Sequence, residues 1–413
     1  MISNLHKKTL VFGFIAENYR EFIEKTMIES LKVRMQQQLD ERKSKGNFRK
    51  LSLDSDGIDF YSNDYLGLAK NDELIKKIEN NFQLLPPKEK RLGATGSRLL
   101  SGNSSLALEL EQKLAQVFEG EACLLFNSGF AANTSLVATI AQAKDAVLYD
   151  ELIHASLKEG CRLSMAKYQW SFKHNEISAL EKKINLAKSK GAEQIYVLVE
   201  SVYSMDGDMA PLEELTKICL KTEAHLIVDE AHSTGLWGKN GNGLCCELGL
   251  QHQIFARVYT FGKAIGCHGA CVVGTQLLKE YLVNFARGFI YTTALPPHGL
   301  VSVSQSFEWI AHHPELKEKL FKNIEHYHQC LEKYDFQENT FQKTPIQIFP
   351  VSGNENCRKL ANSLITSGLE VRPIFSPTVP LGKERLRICL HTYNTFEEVE
   401  RLVEKITAYI SRI

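Results

Sequence analysis

Nowhere does the sequence approach the roughly 18–20 consecutive apolar residues of a membrane-spanning helix, so no membrane partner is expected. Charge of one sign is not in excess either, because 49 Lys and Arg balance 49 Asp and Glu. No overall field therefore steers the chain to nucleic acid or an anionic surface. Ten cysteines are present but none forms a Cys-x-x-Cys pair, which removes the commonest zinc and redox-dithiol signatures. Scattered thiols of this kind, Cys245-Cys246 and Cys267/Cys271 included, read as reduced core residues of a cytoplasmic protein. There is no internal repeat and no low-complexity tract. Lys7-Lys8 followed by the apolar run Thr9 to Ala16 imitates a signal peptide, but the run is short and Glu17 ends it. What remains is a small molecule as the expected partner.

At 413 residues, 44% apolar and 24% charged, the chain is globular in composition and too long for one hydrophobic core. From about Ile58, short apolar runs alternate with helical patterns, which predicts a parallel sheet covered by helices. Ser104 or Ser105 caps a helix carrying Leu106, Leu110, Leu114 and Val117, and Ala122 to Phe126 then reads as a buried strand. Further strands are expected at Ile195 to Val199, His225 to Val228, Arg257 to Phe261 and Ala270 to Val273. After Pro297 the pattern shifts to longer amphipathic helices, about Glu315 to Tyr334, Asn356 to Ser367 and Phe396 to Ile410, with strands around Ile346 and Leu386. The expected division is an N-terminal helical segment (1–57), a large domain (58–297) and a small C-terminal domain (298–413).

Three constellations sit where these strands end, the place at which open α/β sheets bind ligands. In Phe126-Asn-Ser-Gly-Phe-Ala-Ala-Asn133 a strand turns into a helix, whose first N–H groups around Ser128, Gly129 and Phe130 suit a phosphate. Asp229-Glu-Ala-His232 follows another strand; a carboxylate there can keep a ring nitrogen protonated, and His232 can hydrogen-bond a ring hydroxyl. Thr260-Phe-Gly-Lys263 ends a third, and a lysine in a crowded apolar cleft loses basicity and becomes a nucleophile. His154 adds a ring able to stack on another. A capping serine, a satisfied histidine and a solvated lysine would each be unremarkable alone; their order and spacing together point to one site.

Together with Ser62-Asn-Asp-Tyr-Leu-Gly-Leu68, Gly96-Ser-Arg98, Ser101-Gly102, His154-Ala-Ser156, Ser204-Met-Asp-Gly-Asp208 and Phe285-Ala-Arg through Ile290-Tyr-Thr-Thr293, these residues resemble the α-oxoamine synthase family of fold type I pyridoxal-phosphate enzymes. The likeness runs from about Met35 to the end. It implies an α/β transferase with a mostly parallel central sheet flanked by helices and a smaller C-terminal α+β domain, working as a cytoplasmic homodimer. It implies pyridoxal 5'-phosphate as cofactor, with Lys263 and His154 catalytic. Lys263 would carry the cofactor, Asp229 would pair with its ring nitrogen, His154 would stack on it, and His232 and Ser204 would contact its hydroxyl. Ser128, Gly129, Phe130 and Thr260 would hold its phosphate with Thr292 and Thr293 of a neighbouring subunit. Arg387 would grip an amino-acid carboxylate, and Arg49 and Thr378 would contact substrate.

Within the family the likeness favours the branch that joins L-alanine to a pimeloyl thioester with loss of carbon dioxide, in biotin biosynthesis, the thiol being coenzyme A or an acyl carrier protein. Sister activities pair glycine with an acetyl thioester or serine with a long acyl chain; an aminotransferase and a non-catalytic cofactor-binding protein are more distant alternatives. The chain departs from that branch in two places. Phe375-Ser376 precedes Pro377-Thr-Val-Pro380 where an arginine is usual, so either recognition of the acyl chain's carboxylate differs here or the substrate does. The first 26–34 residues have no counterpart, Met27 and Met35 being natural starts.

Overall fold

A computed structural model describes residues 28–51, 56–334, 342–376 and 378–411. The signal-like run Thr9 to Ala16 and Met27 lie outside the described residues. By contacts the chain divides into two units, one of residues 1–56, 350–362 and 373–385, the other of 57–349, 363–372 and 386–413.

The second unit is built on a seven-stranded sheet. Its strands are β1 (Ala122–Phe126), β2 (Ala146–Asp150), β3 (Tyr168–Phe172), β4 (Ile195–Glu200), β5 (His225–Asp229), β6 (Ala256–Thr260) and β7 (Ala270–Gly274), in the spatial order β1-β7-β6-β5-β4-β2-β3. β7 runs antiparallel to both its neighbours and the other pairings are parallel. Helices on both faces explain why the central strands are apolar throughout rather than alternating: Val197, Leu198, Ile227 and Val228 are all fully buried. The strands expected at β1, β4, β5, β6 and β7 are present within a residue at each end. β2 and β3 were not foreseen. β3 is an edge strand whose residues are mostly half-buried, so Tyr-Gln-Trp-Ser-Phe carries no continuous apolar run.

Helix α1 (Gly129–Ile140) follows β1, and α2 (Ala155–Leu163) follows β2. They pack closely because Gly160 faces Val137: a Cβ at Gly160 would lie 2.8 Å from the valine Cβ. Helices Glu315–Glu332 and Phe396–Ile410 match the amphipathic patterns, the latter opened by a capping box in which Thr395 and Glu398 exchange hydrogen bonds. A smaller three-stranded sheet has the order Arg372–Ile374, Arg385–Cys389, Ile346–Pro350. In the first unit the helix over 28–44 is exposed along its whole length.

One ionic clamp joins the loops at the sheet's carboxyl edge. His174 Nδ1 meets Asp150, the last residue of β2, at 2.9 Å, and its Nε2 meets Asp208 at 2.7 Å. Burial alone would lower the imidazole's pKa, but the hydrogen bonds and charges of the two carboxylates outweigh it and push the pKa up to about 10. A group raised in this way stabilises the fold fully below its unfolded pKa, near 6.5, and progressively less as pH climbs toward 10. The melting-temperature advantage of the wild type over His174→Asn should therefore narrow steadily across that range, read by circular dichroism. An advantage independent of pH would contradict the clamp.

Candidate active site

The carboxyl ends of β1, β4, β5 and β6 converge on a cavity of about 220 Å³ whose lining includes Ser128, Gly129, Phe130, His154, Asp229, His232, Thr260 and Lys263. These residues, drawn from four separate stretches of sequence, thus line one cavity. Asn133, Ser156, Glu200 and His268 also line it; sequence reasoning did not single them out, since Asn133 and Glu200 are lone polar residues within an apolar helix and strand and Ser156 and His268 stand beside motif residues without a spacing of their own.

The Ser128 side chain caps α1 by accepting from Ala131 N–H at 3.1 Å, which leaves the N–H groups of Gly129 and Phe130 for an anion. Only glycine fits at 129, since a Cβ would fall 2.4 Å from the Thr260 methyl. Asp229 is held at both oxygens: Asn133 Nδ2 donates to one at 2.7 Å and Ala231 N–H to the other at 2.9 Å. Asn133 also donates to Ser156 Oγ at 3.0 Å, and the serine hydroxyl and N–H both meet His154 Nδ1, at 2.7 and 3.2 Å. With Nδ1 accepting, a neutral His154 keeps its proton on Nε2. Burial and the Lys263 charge favour that neutral form, against the pull of Asp229.

Lys263 anchors a directed chain. Asn63 Oδ1 only accepts, so the Tyr65 hydroxyl donates to it at 3.0 Å. The hydroxyl oxygen then accepts from His232 Nδ1 at 2.8 Å, and His232 Nε2 accepts from Lys263 Nζ at 2.7 Å. Burial, joined by the charges of Lys263 and Arg387, drives the His232 pKa well down and keeps it neutral. Burial likewise pulls Lys263 down to about 8, although Asp229 and Glu200 pull the other way. Burial, then Asp229, pushes Glu200 up to about 8.

Arg387, itself buried, donates from Nε to the Ser204 carbonyl at 2.7 Å and from one terminal nitrogen to Asn63 at 3.0 Å; the other meets Cys389 Sγ at 2.9 Å. Three of five N–H groups are thus used, and each terminal nitrogen keeps one for a carboxylate. Thr292 and Thr293 stand off the cavity: Asn127 Nδ2 donates to the Thr292 hydroxyl at 3.2 Å and the Thr293 carbonyl at 2.6 Å. Arg49 and Thr378 belong to the first unit. In that unit the Arg358 guanidinium lies 4.8 Å from the centre of the Phe375 ring.

Among the buried side-chain atoms without a hydrogen-bond partner, three line this cavity: Thr260 Oγ1, Asn133 Oδ1 and Glu200 Oε1. Orphaned polar atoms are costly unless a ligand satisfies them. Pyridoxal phosphate fits a cavity of this lining: Thr260 and the free end of α1 would hold its phosphate, and Asp229 would meet its ring nitrogen. Thr260→Val keeps shape but removes the hydroxyl, so pyridoxal phosphate should bind roughly tenfold or more weakly while pyridoxal itself is unaffected. Absorbance titration of the two would check this, and equal losses would contradict the assignment.

Known proteins bear on the site. The family described as aminotransferase class I and II matches residues 55–406. The chain is 38% identical over 395 residues to 8-amino-7-oxononanoate synthase from Emericella nidulans, covering 92% of this chain and 96% of that protein. A solved 8-amino-7-oxononanoate synthase from Francisella tularensis superposes with a TM-score of 0.74 at 29% identity, over 87% of this chain and 99% of that one. Serine palmitoyltransferase from S. paucimobilis, solved with PLP and myriocin bound, gives 0.79 at 27%, over 86% and 88%. With that cavity at the carboxyl edge of a mostly parallel sheet, the chain belongs to the aminotransferase class I and II family, in its α-oxoamine synthase group, and uses pyridoxal 5'-phosphate.

Proposed function

We propose that this protein condenses L-alanine with a pimeloyl thioester, releasing carbon dioxide and a free thiol to give 8-amino-7-oxononanoate for biotin synthesis. The observation that carries the reading is the 38% identity to an 8-amino-7-oxononanoate synthase along 96% of that protein's length. Bound pyridoxal phosphate supplies the electron sink that α-carbon chemistry requires. The remaining work falls to the chain. Lys263, with a neutral fraction at working pH, carries the cofactor and removes the Cα proton. Asp229 keeps the ring nitrogen protonated and Asn133 keeps Asp229 oriented. His154 stacks on the ring and offers Nε2–H to the acyl carbonyl, stabilising charge that develops there.

His232 and Ser204 contact the ring hydroxyl, and Arg387 takes the alanine carboxylate. Arg49 and Thr378 contact substrate. Residues 58–297 form the cofactor domain and 298–413 the small one. We further assign a cytoplasmic homodimer in which Thr292 and Thr293 reach the neighbouring subunit's phosphate. Exposed Phe130, Phe285 and Tyr291, at 51%, 59% and 75% of full accessibility, support that interface. Among the described residues no helix is long and apolar enough to cross a membrane. Phe375 favours a second reading, a sister synthase acting on glycine with an acetyl thioester or serine with a long acyl thioester.

Thiol release from L-alanine with pimeloyl-coenzyme A, glycine with acetyl-coenzyme A and serine with palmitoyl-coenzyme A separates these. Release with the alanine pair alone is expected, and Lys263→Ala should lower it by about 10²–10⁴-fold or more. Release with another pair would move the protein to the sister activity, and undiminished turnover by Lys263→Ala would refute the lysine's role.

A further inference from the structure

Away from the cofactor cavity, helix Glu315–Glu332 presents His326 and Cys330 one turn apart, and helix Phe396–Ile410 sets Glu400 against them. One donor atom from each lies within 4.8 Å of the other two. His326 Nε2 is 3.3 Å from Glu400 Oε1 and 3.5 Å from Cys330 Sγ. In a tetrahedral zinc site, metal–ligand bonds of about 2.0–2.3 Å put neighbouring ligand atoms about 3.3–3.8 Å apart. Both measured separations fall in that range.

Hydrogen bonding does not resolve the cluster. Both contacts converge on Nε2, which cannot donate to the carboxylate and also accept from the thiol. A cation in place of the protons satisfies all three donors at once. His326 is held by its stack on Phe396, with ring centres 4.2 Å apart and planes 25° apart. Cys330 is buried and Glu400 half-buried, so the cluster opens to solvent on the carboxylate side. Glu404, exposed one turn beyond Glu400, also acts on the thiol, opposed by Lys333.

We propose that His326, Cys330 and Glu400 form a binding site for a thiophilic divalent cation, zinc, that ties the helices Glu315–Glu332 and Phe396–Ile410 together. Nothing in the condensation chemistry requires it, and it stands whether or not the substrate reading does.

Cobalt(II) is the probe. Holoenzyme cleared of metal by a chelator should bind one equivalent with a thiolate-to-cobalt charge-transfer band in the near ultraviolet, and zinc should abolish that band. Cys330→Ser should lose the band, and Glu400→Gln, a change at a half-buried position that spares the core, should weaken cobalt binding about tenfold or more. Zinc should raise the melting temperature of the wild type but not of either variant. No charge-transfer band in the wild type, or a band and affinity unchanged in Glu400→Gln, would overturn the proposal.

Discussion

The amine of Lys263 shares a partly open cavity with two carboxyl groups, and the rest of the site follows from that confinement. Asp229 and Glu200 favour the charged amine; burial opposes them and wins, leaving it near 8 rather than 10.5. The same burial leaves Glu200 near 8, so the cavity need not hold two full negative charges beside one positive one. His232 completes the arrangement. Neutral and tied through Tyr65 to Asn63, it offers Lys263 an acceptor and aims the amine without adding charge.

That confinement depends on the sheet. Parallel strands end on one edge, so Phe126, Glu200, Asp229 and Thr260, far apart in sequence, become neighbours. Each strand end then passes its last polar residue to a turn or a helix N-terminus, where backbone N–H groups are free. The tight packing of α1 on α2, permitted by Gly160, brings Asn133 to both Ser156 and Asp229 and so links His154, through Ser156, to the Asp229 carboxylate. The protonated His174 bridge between Asp150 and Asp208 stiffens the next loops along the same edge.

Much of this was legible in the sequence, for reasons the structure makes plain. β1, β4, β5, β6 and β7 are buried on both faces and so write continuous apolar runs. The turn at Ser128-Gly129 carries both a cap and an unavoidable glycine. Lys263, Asp229 and His232 stand where those runs stop, so position marked them as much as residue type. β3 escaped because an edge strand has no reason to be apolar throughout. Asn133, Glu200 and His174 escaped because their importance lies in partners 96, 29 and 24 residues or more away, at Asp229 and Asp150, which no local spacing encodes. Phe375 stands in the segment where the resemblance implied an arginine, and only the fold shows the Arg358 guanidinium 4.8 Å from the centre of its ring.

The central claim is that a partly neutral Lys263 moves the Cα proton of the amino acid. The most direct measurement follows deuterium at Cα of L-[2-²H]alanine by proton NMR in the holoenzyme, without thioester, beside Lys263→Ala reconstituted with pyridoxal phosphate. Wild-type protein should exchange the label for solvent protons, and the variant should retain it. Equal loss of label from both would show that another group moves the proton and would contradict the account.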